Sequence, residues 1–258
     1  MSQTVDSHAR FFFHQGLRHQ EVGECQVAVA YFDQALAIEP NFYEAWYQRG
    51  LVLGLECRYL QRQEEALDSL NKAIACKPND YLAWYKRGEV ELEVLEDYEA
   101  SVLSFDQALK LKPDDYYTWW DRSFALYQLE CYDEARVSYQ KTLEIRPDSL
   151  YVWKEYSSLL WGMGHYEEAL KGFDQVLAIK PDDDVTWSDR GELLEDLGYY
   201  QEALTNFDKA LIINPDNCFA WYNRAKVLEK LGSYQEALVS QRNAVYAPTT
   251  AADWAQYN

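Results

Sequence analysis

The chain has 258 residues, 48% of them apolar and 16% aromatic, and a net charge of −19. That charge repels phosphate backbones and excludes nucleic acid as an ordinary partner; either plain solubility or a basic protein partner accounts for it. The N-terminus (MSQTVDSHARFFFHQG) is no signal peptide and no apolar run spans a membrane, while five scattered cysteines without CxxC argue against a disulfide framework or zinc site and fit a reducing, cytoplasmic compartment.

Each proline is followed six residues later by a tryptophan. The pairs are Pro40–Trp46, Pro78–Trp84, Pro113–Trp119, Pro147–Trp153, Pro181–Trp187, Pro215–Trp221 and Pro248–Trp254. Successive prolines lie 38, 35, 34, 34, 34 and 33 residues apart, which marks one small unit repeated along the chain. The units read as 9–42, 43–80, 81–115, 116–149, 150–183, 184–217 and 218–250, with the start of an eighth at 251–258. Unit 43–80 carries four extra residues within Gly54–Gln63, and unit 81–115 one extra near Glu96–Asp97, both at the turn inside the unit. In unit 184–217, Trp187, Gly191 and Leu194 recur at helical spacing, Gly198 interrupts, and Ala203, Leu204, Phe207, Ala210 and Leu211 form a second amphipathic stretch that Pro215 ends. Each unit is thus predicted as helix A, a tight turn, helix B and a short Pro-Asp linker. Asp114–Asp115 and Asp182–Asp184 fall in that linker, where an aspartate caps the next helix A. Ala203 and Ala210 are small because helices A and B approach closely.

A second regularity links neighbouring units. The residue after the helix B aromatic pairs in register with a helix A residue of the next unit: Asp33–Arg49, Asn71–Arg87, Asp106–Arg122, Gln140–Tyr156, Asp174–Arg190 and Asp208–Arg224. Four are acid–base, and where Arg becomes Tyr the acid has become Gln. These residues are expected to bridge consecutive repeats.

The pattern Trp…Leu-Gly…Tyr…Ala…Phe…Ala…Pro resembles the tetratricopeptide family over nearly the whole chain, as with Gly16, Ala28, Phe32, Ala35 and Pro40 in the first unit and Trp84, Gly88, Phe105, Ala108 and Pro113 in the third. The chain departs from it in the Arg-Gly of helix A. The resemblance implies an all-α, right-handed superhelical solenoid of residues 1–258, with helix A lining a concave groove. Groove positions then include Tyr47, Tyr85, Tyr117, Trp120, Phe124, Tyr127, Tyr151, Lys154, Trp161, Glu192, Glu195 and Tyr222. Seven of the nine tryptophans belong to the repeat; the other two, Trp120 and Trp161, both fall on groove positions. With Tyr117, Phe124, Tyr127 and Tyr151 they read as a docking patch or as the packed lining of a tight superhelix. Glu192, Glu195 and Asp196 read as receivers for a partner's Lys or Arg.

The family's carboxylate clamp is expected to be absent, because Ser158, Asp189 and Phe219 stand where Asn, Asn and Lys are required beside Lys154. No HExxH, GxSxG or P-loop occurs, so the expectation is a non-enzyme without cofactor or metal. The implied function is a scaffold or adaptor for a protein or peptide with apolar anchors and basic residues. The alternative is the sensor or regulatory repeat part of a larger signalling or enzymatic protein. Self-association through an uncapped end is a further expectation.

Overall fold

The computed structural model describes residues 2–246. The eighth unit expected at 251–258, with Pro248 and Trp254, lies outside them. Among the described residues the chain is an all-α helical-repeat solenoid of fourteen α-helices without strands. It forms two compact units, one ending at Arg146 and the other beginning at Pro147. The first holds α1 (Ser2–Glu21), α2 (Cys25–Ile38), α3 (Tyr43–Leu51), α4 (Gln63–Cys76), α5 (Tyr81–Glu93), α6 (Tyr98–Leu111), α7 (Tyr116–Gln128) and α8 (Tyr132–Ile145). The second holds α9 (Leu150–Gly162), α10 (Tyr166–Ile179), α11 (Asp184–Asp196), α12 (Tyr200–Ile213), α13 (Cys218–Lys230) and α14 (Tyr234–Tyr246). Odd-numbered helices are helix A of a hairpin and even-numbered ones helix B. No described helix is long and apolar enough to cross a membrane.

The core sits between the helices of each hairpin. Phe32, Phe105, Phe173 and Phe207 project from helix B and are fully buried. Each needs a small residue opposite. A Cβ on Gly88 would stand 2.5 Å from the Phe105 ring, so only glycine lets α5 and α6 close. Ala203 and Ala210 are fully buried beside Phe207, as their size predicts.

The structure explains the Pro–Trp spacing. In all six described pairs the indole Nε1 donates to the proline carbonyl, as from Trp46 to Pro40 and Trp119 to Pro113, both at 2.7 Å. The bond satisfies the proline carbonyl in the linker just past helix B and ties that linker to the next helix A. The linker acids act as caps: Asp115 accepts from the Thr118 N–H and Asp183 from the Thr186 N–H.

The four acid–base pairs bridge repeats as expected. Arg49–Asp33, Arg122–Asp106 and Arg224–Asp208 meet at 2.7 Å and Arg190–Asp174 at 2.9 Å. Each arginine also reaches its own helix B, through Ser69, Ser138, Asn206 or Ser240, so one guanidinium ties three helices. Arg87 differs. Asn71 offers it no charge, and it pairs instead with buried Glu91 one turn along α5, which also accepts from Ser104.

The extra residues of the second hairpin form a π-helical turn, Val52–Glu56, that continues α3, then a 3₁₀ turn, Arg58–Leu60. One cysteine expectation is corrected here. Cys57, between those turns, is disulfide-bonded to Cys25 at the start of α2, with Cα atoms 6.3 Å apart. The insertion carries Cys57 out of the repeat register, so its proximity to Cys25 was hidden in the linear spacing.

Candidate interaction surface on the first helices

Within each unit, side-chain bonds cross between consecutive helices A. In the first unit the Tyr43 hydroxyl donates to Asp80 at 2.8 Å and the Tyr85 hydroxyl to Asp121 at 3.0 Å. In the second, the Trp161 indole donates to Asp196 at 3.0 Å, Lys154 pairs with Asp183 at 2.6 Å, and Lys230 pairs with Glu195 at 2.9 Å.

These bonds sort the predicted site residues. Tyr117, Phe124, Tyr127, Tyr151 and Tyr222 are exposed, and Tyr151 reaches 70%. They lie on α7, α9 and α13, held by backbones whose opposite faces are buried. Tyr117 packs edge-on against Tyr116, and the Arg146 guanidinium lies 4.1 Å above the Tyr116 ring. Trp120 is half-buried against Tyr116. Trp161 is half-buried with its ring edge-on to core Phe173. Tyr47 is half-buried and stacked on Tyr43; burial first, then Asp80 and Glu89, pushes its phenol up to about 12.

The acidic expectation in the second unit is corrected. Glu195 is buried and already paired with Lys226 and Lys230 of the same chain, so it is no open receiver for a partner cation. Lys154 is likewise committed to Asp183. That carboxyl is held down at about 2: burial opposes ionisation, but hydrogen bonds from Lys154 and Thr186 outweigh it. Glu192 is half-buried, and its carboxyl is raised by burial against the pull of Lys226.

An acidic group that sequence reading missed stands in the first unit. Asp121 is raised to about 7, first by burial, then by Glu89 and Glu93, with Tyr85 and Lys86 opposing. Glu89 meets Lys86 at 2.5 Å and Glu93 pairs with Arg58. The i, i+4 spacing of Glu89 and Glu93 put both on one helix face. Asp121 follows Trp120 outside the groove register that the family implies, so nothing flagged it. Among the described residues no group of three or more His, Cys, Asp or Glu is arranged to hold a metal ion.

Models of the tetratricopeptide repeat match residues 13–81, 51–115, 92–149, 126–188, 185–217 and 206–239. No curated protein sequence matches the chain. Solved structures similar in fold include YrrB, described as a TPR protein with an unusual peptide-binding site: 22% identity, 75% of this chain and 97% of that one covered, TM-score 0.63. A tetratricopeptide repeat protein from Parabacteroides merdae is 17% identical over 97% of both chains, with TM-score 0.62. A chain in the Naa15/Naa10 complex bound to HypK-THB is 18% identical over 96% of this chain and 38% of that one, with TM-score 0.63. With repeat models spanning most of its length and a matching helical-hairpin architecture, the chain belongs to the tetratricopeptide repeat family, whose members serve generally as protein-interaction scaffolds.

Proposed function

We propose that this chain is a non-catalytic adaptor whose helix A faces grip a protein segment with apolar anchors and basic residues. The observation that supports this most is the exposure of large rings on those faces. Tyr117, Phe124 and Tyr127 on α7 are 51%, 41% and 45% exposed. The core does not use these rings, and burying each against a partner would contribute roughly 1–2 kcal/mol. The net charge of −19 gives the positive charge a counterpart; the nearest acids, Glu89, Glu93 and Asp121, are engaged by Lys86, Arg58 and Tyr85 of the same chain. YrrB, of the same fold, is described as binding peptide, which fits this reading.

The test compares capture by the wild type with capture by a Tyr117→Ala, Phe124→Ala, Tyr127→Ala triple variant and a Leu103→Ala control. Leu103 is 65% exposed on helix B. Proteins retained by the wild type and the control, but lost from a triple variant of unchanged thermal midpoint, support the reading. Equal retention by all three contradicts it.

A further inference from the structure

Within the two compact units, junctions between hairpins are made in one way. A small residue of helix A seats on an aliphatic residue near the end of the preceding helix B: Ala45 packs with Leu36, Ala83 with Ile74 and Ala220 with Leu211. The alanines are fully buried and their partners only 6–8% exposed. Among the described residues, each half of this junction also occurs once uncovered. On α14 the aliphatic residue in register with Leu211 is Val245, and it is 74% exposed; Leu238, in the place of half-buried Leu204, is 59% exposed. On α1 the residue in register with Ala45 is Phe11, five before Gly16 as Ala45 is five before Gly50, and it is 54% exposed.

The charges on the two faces suit a meeting between them. Of the seven described helices B, α14 alone lacks a net negative charge, since Arg242 offsets Glu236; α1 balances Asp6 and Glu21 with Arg10 and Arg18. At the bridging positions, Arg242 stands where α12 has Asp208 and Gln15 stands where α3 has Arg49, so no like charges face each other there. Residues 251–258 fit the α14 face poorly. Aligned on Trp254, Asp253 falls where Ala220 is fully buried, a place that penalises a carboxylate.

We propose that α14 of one copy of this chain receives α1 of a second copy, continuing the junction between hairpins from molecule to molecule. Phe11 lies against Val245 and Leu238, and removing these side chains from water drives the contact. The valine is smaller than the leucine it replaces and the phenylalanine larger than the alanine, so bulk lost on helix B is regained on helix A. Outer faces of repeat arrays are ordinarily polar, and these two are apolar instead. The contact joins unlike faces, so each copy retains one of each and association proceeds past the dimer. It uses other helices than the exposed rings of α7 and is independent of the function proposed for them.

The test is the mass of the full chain by analytical ultracentrifugation between about 1 and 200 µM, with Phe11→Glu and Val245→Glu as separate variants. Both positions are exposed, so both variants should keep the wild-type thermal midpoint. The mean mass of the wild type should rise about twofold or more across that range, and further in high salt, which screens repulsion between chains of net charge −19. Each variant alone should stay monomeric. Their equimolar mixture should form dimers and nothing larger, because Phe11→Glu still offers α14 and Val245→Glu still offers α1. A wild type that stays monomeric, as when residues 247–258 cover α14 instead, overturns the proposal. So does a monomeric mixture, or a Phe11→Glu variant that associates as the wild type does, the sign of two α14 faces meeting each other.

Discussion

Arg49 and Arg58 both pair with a carboxylate, yet they should matter very differently. Arg49 is nearly buried and tied to Asp33, Glu65 and Ser69, whereas Arg58 and Glu93 are each about half exposed. Arg49→Ala strands polar groups in the hairpin interface and should cost ~2–4 kcal/mol of stability; Arg58→Ala should cost under ~1 kcal/mol. Urea unfolding of the two variants measures the difference. Asp121 gives a pH signature. Its folded value of about 7 lies above its ordinary one, so the contribution is full below pH ~4 and is lost as pH rises through 7. Asp121→Asn keeps an acceptor for Tyr85, should stabilise the chain by ~1–3 kcal/mol at pH 8, and should flatten stability between pH 5 and 8. Thermal midpoints across that range test this. Asp183 acts in the opposite sense at low pH: its folded value is depressed to about 2, so its stabilisation fades as pH falls from ~4 toward 2. The Arg–Asp register was legible in the sequence because a fixed spacing carried it. The Ser and Asn partners of the same arginines were not, since a small polar residue on helix B has many uses.

Turns divide the hairpins into two kinds. Gly23, Gly164, Gly198 and Gly232 take φ of 77–80°, while Gln61, Glu96 and Glu130 hold the left-handed region at 53–58° with a side chain attached. A Cβ there is strained. Glu130→Gly should therefore stabilise the hairpin of α7 and α8 by ~0.5–1 kcal/mol, read as a raised denaturation midpoint. The hairpins themselves were legible from period and proline. The fate of the extra residues in the second hairpin was not. An insertion of four residues spells one helical turn, but it was absorbed as a π-helical turn and a 3₁₀ turn, which placed Cys57 beside Cys25. Periodicity reports the average unit; a departure from it is settled by packing, here by Gly54 lying against Val90 and Ala66.

At the scale of the whole molecule, repetition made the fold readable, because each hairpin restates the same contacts and the same signal recurs along the chain. A binding surface has no such redundancy. Tyr117 and Tyr151 are exposed, whereas Glu195 and Lys154 serve the chain itself, since a charge beside the next helix A finds an internal partner before an external one. The most direct measurement is selection of random peptides displayed on phage against the immobilised full chain, followed by affinity of the selected peptides for the Tyr117→Ala, Phe124→Ala, Tyr127→Ala variant. Peptides enriched in aromatic or aliphatic anchors beside Lys or Arg, binding that variant at least ~10-fold more weakly while its thermal midpoint is unchanged, are the expected result. Selected peptides that bind the variant as tightly as the wild type would contradict the assignment of these rings to recognition.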